Sequence, residues 1–183
     1  MPAKKHVTRA HILDAALKLL KEQGYEAVTV KRLAGELGCS TQPVYLSFSG
    51  MDALRAELIP MAIAEFEAAM KQGSSDGTIR LYGMAYIRFA KEEPRLFRFL
   101  FMRANAFSEI KQALLPMIEG AILELMQTYR ISHEAADLLH DQLWMHAHGI
   151  ASMVATDFCD WDMEKVGSML TSSRSAFTKE YEA

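Results

Sequence analysis

Cysteine is scarce in this sequence. Cys39 and Cys159 are the two present, 120 positions apart in a chain of 183 residues. That spacing gives no disulfide framework and no cysteine-based zinc site, and it suits a reducing cytoplasm. Long apolar runs are also missing. No stretch approaches the roughly 18 residues of a membrane span. The short basic segment Met1 to Arg9 is not followed by the apolar core and cleavage site of a signal peptide. The expectation is a cytoplasmic protein with no membrane segment. Alternating β-branched residues are absent apart from Ala27-Val28-Thr29-Val30, so strands are not expected. No internal repeat or low-complexity segment interrupts the chain. Neither a glycine-rich phosphate loop, a nucleophile–base pair nor a metal-ligand spacing is present, so neither an enzyme nor a cofactor is expected. The histidines follow the same rule. His140 and His148 lie eight residues apart, and His146 points away from His148, so these three do not make the i, i+4 pair of a zinc helix.

Net charge is -3, which by itself argues against a general nucleic-acid binder. Its distribution is more informative. Residues 1–50 hold seven Lys/Arg against four Asp/Glu, and residues 51–183 hold thirteen against nineteen. A basic head on an acidic body keeps phosphate attraction local.

Helical spacing is abundant. Ile12, Ala15, Ala16, Leu19 and Leu20 fall on one face of an amphipathic helix. Thr8 suits its N-cap and Gly24 its C-cap. Helices are expected at 8–23, 30–37, 41–47, 51–71, 78–92, 94–103, 107–130, 133–157 and 161–181. The fold class is therefore all-α with about nine helices, divided into domains at 1–50 and 51–183. Gly73 to Gly77 reads as a polar connector, and Pro94 suits a helix's first turn. Pro116 predicts a kink or break within 107–130. Ser132 and Asp160 are candidate caps for the last two helices.

The stretch Thr29 to Phe48 carries the functional signal. Thr29 can cap one short helix, and Gly38 can end it in the left-handed conformation. Ser40 can cap a second, with Pro43 in its first turn. Two short helices joined by such a turn form a helix-turn-helix. Leu33, Leu37, Val44 and Phe48 then face inward. Lys31, Ser40, Thr41, Gln42, Tyr45 and Ser47 remain as a polar set around the second helix, suited to a major groove. Gln42 can bond a base edge in two places, Thr41 offers a hydroxyl and a methyl, and Tyr45 reaches phosphate. Amides at the start of these helices, next to Thr29 and Ser40, also favour phosphate. Ordinary solvated positions would look similar residue by residue, most of all for Lys31 and Ser47.

Over Arg9 to Leu58 the chain resembles the TetR (AcrR-like) regulators. The resemblance rests on "ILDAALKLLKEQGYEAVTV", "LAGELGCS", "VYLSF" and "MDALRAELI". It implies an N-terminal three-helix DNA-binding domain and a C-terminal helical domain for ligand sensing and dimerisation. Thr41, Gln42 and Tyr45 match positions that commonly touch bases and backbone. Met51 stands where the family often has a phosphate-gripping Lys, a contact that Lys4, Lys5, Arg9 or Arg55 would have to supply. Farther on, "LWMHAHGIASMVA" resembles a helix in one group of the family's C-terminal domains. The resemblance implies a homodimer through 133–157 and 161–181, where Gly149, Ala151, Ser152 and Ala155 allow close approach.

The segment Tyr82 to Phe107 is rich in aromatic and methionine side chains. Met61, Tyr82, Tyr86, Phe89, Phe101, Arg103, Phe107 and Trp144 are the candidates for lining a pocket for a small apolar or amphipathic ligand. The same residues also suit plain core. Arg88, Arg95 and Arg98 suit a solvated face, and Trp144 and His148 are spaced to pack together. The resulting expectation is a repressor that binds a double-stranded palindromic operator and is released by a ligand. A dimeric DNA-binding protein without a ligand is the alternative.

Overall fold

The computed structural model describes residues 7–73 and 79–181. Lys4, Lys5 and most of the expected 73–77 connector lie outside them. Among the described residues there are ten α-helices and no strand. Two compact units divide the chain at 65/66.

The first unit begins with α1, Arg9–Gln23. Thr8 caps it through a reciprocal box. Its hydroxyl accepts from the His11 N–H at 3.2 Å, and the His11 ring accepts from the Thr8 N–H at 3.3 Å. Ile12, Ala15, Ala16, Leu19 and Leu20 are all buried, as their spacing requires. A short 3-10 turn, Tyr25–Ala27, leads to α2, Val30–Leu37, which is capped by Thr29. Gly38 ends α2 at φ 64°, in the left-handed region. The Cys39 N–H then reaches the Ala34 carbonyl at 3.0 Å and the Gly38 N–H reaches that of Gly35 at 3.2 Å, closing a Schellman turn. α3 follows at Gln42–Ser47. Leu33, Val44 and Phe48 are buried, and Leu37 is half-buried. α1 packs against both short helices, and they pack against each other.

α4, Met51–Gly73, runs across the division between the units. Its first four turns are tied to α1 by ion pairs, Arg9 with Glu57 and Lys21 with Glu65. The first compact unit extends past residue 50, the boundary expected from the sequence, to Glu65.

The second unit contains α5 (Ile79–Glu92), α6 (Pro94–Phe101), α7 (Phe107–Ala113), α8 (Leu115–Tyr129), α9 (His133–Ala155) and α10 (Met163–Thr178). α9 is its centre and packs on α5, α6, α8 and α10. Ile122 and Leu125 of α8 pack with Ala136 and Leu139 of α9 in a fully buried cluster.

Ten helices replace the nine expected because 107–130 breaks in two. Pro116 has no N–H to donate, and it sits in the first turn of α8, where none is needed. Two expected caps shift. Thr41, not Ser40, precedes α3, and its backbone is already helical (φ -71°, ψ -15°), so its hydroxyl makes no capping bond. Asp162, not Asp160, caps α10 by accepting from the Lys165 N–H at 2.7 Å. Ser132 caps α9 as expected.

Candidate functional site

In the N-terminal unit, α3 presents its polar side outward. Ser40, Thr41, Gln42 and Tyr45 are exposed, Tyr45 at 67%. Lys31 is exposed on α2. Thr29 is exposed too, and its hydroxyl accepts from the Arg32 N–H. Ser47 is half-buried, and its carbonyl takes the Arg9 guanidinium. Leu46, at 80% exposure, was not singled out by sequence reasoning. The only sequence signal for it is an apolar residue on the side of α3 opposite Val44. On a groove-facing helix such a side chain can pack against a thymine methyl.

Arg9 is committed to the fold rather than left for phosphate. It donates to both Glu57 carboxylate oxygens, through Nε at 2.9 Å to Oε2, and its guanidinium lies 4.1 Å from the Phe48 ring centre. These bonds raise the Arg9 pKa and lower that of Glu57, in each case mainly through the hydrogen bond between them. Arg55 likewise pairs with Asp52 at 2.7 Å. Two of the four side chains offered as substitutes for the missing Lys at Met51 thus already have carboxylate partners. The other two, Lys4 and Lys5, lie outside the described residues.

The C-terminal unit holds a partly open cavity of about 830 Å³. Tyr82, Tyr86, Phe101, Arg103, Phe107 and Trp144 line it, as do Phe66 and Met70 from the last turns of α4. Two candidates fall elsewhere. Phe89 is buried, with its ring edge-on to Phe66 at 5.2 Å, on the core side of α5. Met61 belongs to the N-terminal unit and is not among the lining residues. Helical spacing could not separate these two from the lining set, because a stripe of large apolar residues serves core and cavity alike. Sequence reasoning missed Phe66, Met70 and the contribution of α10.

A polar relay crosses the aromatic wall. The Tyr86 hydroxyl lies 2.9 Å from His148 Nδ1, and His148 stacks on Trp144 at 5.2 Å. Burial keeps the Tyr86 hydroxyl protonated by pushing its pKa far up, and burial pushes the His148 pKa down. Arg103 is held by the Phe99 carbonyl at 2.6 Å and by Glu109 at 3.0 Å. Among the described residues no three of His, Cys, Asp and Glu come together in a way that could hold a metal ion. No helix there is long and apolar enough to cross a membrane.

Comparison with known proteins agrees with both units. Residues 12–58 match the profile of "Bacterial regulatory proteins, tetR family", and residues 79–171 match "Tetracyclin repressor-like, C-terminal domain". Among solved structures, a TetR-like transcriptional regulator from Rhodococcus sp. RHA1 superposes with a TM-score of 0.67 at 16% identity, covering 98% of this chain and 100% of that one. The multidrug binding protein EbrR, complexed with imidazole, gives 0.61 at 18% identity over 92% of this chain and 96% of that one. NalD, the secondary repressor of the MexAB-OprM multidrug efflux pump in Pseudomonas aeruginosa, gives 0.56 at 14% identity over 92% and 95%. No curated protein sequence is significantly similar to this chain. With a helix-turn-helix head, an all-helical second unit and both family profiles matched in order, this chain belongs to the TetR family of transcriptional regulators, which are DNA-binding proteins and not enzymes.

Proposed function

We propose that the chain is a cytoplasmic, homodimeric repressor whose two heads bind the half-sites of a palindromic operator and whose cavity takes a small molecule that releases the DNA. The observation that carries the reading is the outward face of α3. Gln42 and Tyr45 stand exposed on a short rod whose opposite face, through Val44, is buried. A helix fixed in this way suits groove insertion, and the residues it offers suit base and phosphate contact. The ligand half of the proposal is supported by the cavity, whose volume falls in the range of small-molecule sites. That volume favours a sensor over a ligand-free dimer. EbrR is a multidrug binding protein and NalD a repressor, which supports the same mode of action here.

Coupling needs an element that serves both units. α4 supplies Glu57 to Arg9 and supplies Phe66 and Met70 to the cavity wall. A ligand that prefers a shifted α4 lowers the population of the DNA-competent state. One that binds both states equally shifts nothing. The dimer is expected through α9 and α10. Leu138, Met145 and Met153 share one side of α9 and are exposed in the single chain, and a Cβ placed on Gly149 would meet nothing within 4 Å.

A gel-shift with genomic fragments, repeated with a panel of apolar and amphipathic compounds, tests the proposal. It expects selective retention of a few fragments and their release by some compounds. Failure to retain any fragment over bulk DNA at moderate salt contradicts it.

A further inference from the structure

The cavity is not uniformly apolar, and its polar groups are distributed in a way that specifies charge. At one part of the wall stand the rings of Phe66, Tyr86 and Phe101, with centres 5.1 to 5.8 Å apart. At another stand Tyr129 of α8 and Arg174 of α10. Arg174 Nη2 donates to the Tyr129 hydroxyl at 3.1 Å. Its Nη1 is buried and has no hydrogen-bond partner. No carboxylate pairs with this guanidinium among the described residues, although Leu125 and Leu170 line the same cavity.

A guanidinium stays charged at every accessible pH, and holding one beside apolar side chains without a counter-ion is costly. A neutral phenol supplies one acceptor but no charge. The remaining ionisable lining groups do not correct the imbalance. Arg103 is balanced by Glu109. Lys111 lies 5.8 Å from the Phe107 ring centre. Among the described lining residues Asp141 is the one carboxylate, 3.6 Å from a His140 whose pKa burial lowers, so it offsets one of the two cations left, Lys111 and Arg174, and not both. The lining therefore carries an excess of positive charge, with an unpaired fork-shaped donor at one place and a ring cluster at another.

We propose that the ligand of this cavity is a monoanionic amphiphile, a carboxylate on an apolar chain or body, with its head taken by Arg174 and Tyr129 and its apolar part lodged among Phe66, Tyr86 and Phe101. This rests on the regulatory reading for its biological meaning but not for its chemistry. A carboxylate supplies two acceptors in the plane that a guanidinium offers and neutralises the charge. An apolar tail suits the ring cluster, whereas an organic cation meets a wall of its own sign.

Isothermal titration of the full chain with dodecanoate, dodecanol and dodecyltrimethylammonium, each below its micelle concentration, tests the proposal. Dodecanoate is expected to bind at least about tenfold more tightly than either of the others, the scale of one charge-assisted contact. In Arg174→Gln, dodecanoate affinity falls to that of the alcohol, and Arg174→Lys retains part of the preference. Equal binding of all three probes, tighter binding of the cation, or an unchanged carboxylate preference in Arg174→Gln overturns the proposal. Should Arg174→Gln fail to fold, the ranking by the unaltered protein still decides. Parallel gel-shifts separate this inference from the reading it rests on. Selective dodecanoate binding with no effect on any DNA complex supports the head-group assignment and contradicts ligand-released repression. Release of DNA by other compounds, with no carboxylate preference, does the reverse.

Discussion

Gln42 and Lys31 differ in what their exposure is for. Gln42 opens α3 and presents a donor and an acceptor together, so its removal should be felt at a single base pair. Gln42→Ala is expected to cost about 1–3 kcal/mol on the selected operator and to relax preference at one position, measured by anisotropy on a set of single-base variants. Lys31 offers only a charge. Lys31→Ala should weaken all sequences alike and flatten the dependence of affinity on salt. Normal operator binding by both variants would mean that α3 does not dock as described. In the second unit, His140 and His148 are held below the ordinary 6.5 chiefly by burial, with Asp141 partly offsetting this at His140. The unfolded chain then binds protons more readily than the folded one. The contribution is complete above about pH 6.5 and declines as pH falls below it. Thermal melts from about pH 7.5 to about pH 5.5 should show a falling midpoint, with a shallower fall in the His140→Gln/His148→Gln double variant. An unchanged slope in that variant would assign the loss to other groups.

At the level of elements, the rigidity of the head depends on how α2 ends. Gly38 is left-handed and its amide and that of Cys39 close the turn into α3. A Cβ at Gly38 meets no atom within 4 Å, so the cost of Gly38→Ala is backbone strain alone. About 1–2 kcal/mol is expected, read as a lower denaturation midpoint and a loss of affinity shared by all DNA sequences. Stability equal to the parent would contradict the role given to this turn. Most elements were legible because local chemistry dictates them: Thr8, Thr29 and Ser132 as caps, Gly38 as a stop, Pro116 as a break. Ser40 and Asp160 were expected as caps, but Thr41 and Asp162 hold those positions, because where a helix starts is set by how it packs and not by the nearest capping residue type. The cavity was legible only in part. Tyr86, Phe101 and Trp144 line it, but Phe89 on the same helix as Tyr86 turns into the core. Arg174 stood outside every motif, and its importance arises from Tyr129, 45 residues away.

For the whole molecule, the account requires two heads acting together. The exposed apolar side of α9 is the place to break the pair. Leu138→Glu/Met145→Glu places two charges where a second copy is expected, on side chains each 56% exposed in the single chain. Sedimentation should then report a monomer with intact helicity, and operator affinity should collapse toward that of bulk DNA. A variant that remains dimeric would move the interface elsewhere. The measurement that bears most directly on the central claim is selection of binding sites from a pool of random duplex DNA, followed by the stoichiometry of the selected complex. The account predicts a palindrome whose half-sites are separated by about one helical turn or a multiple of it, bound by two chains. Enrichment of no sequence, or of a single asymmetric site bound by one chain, would contradict it.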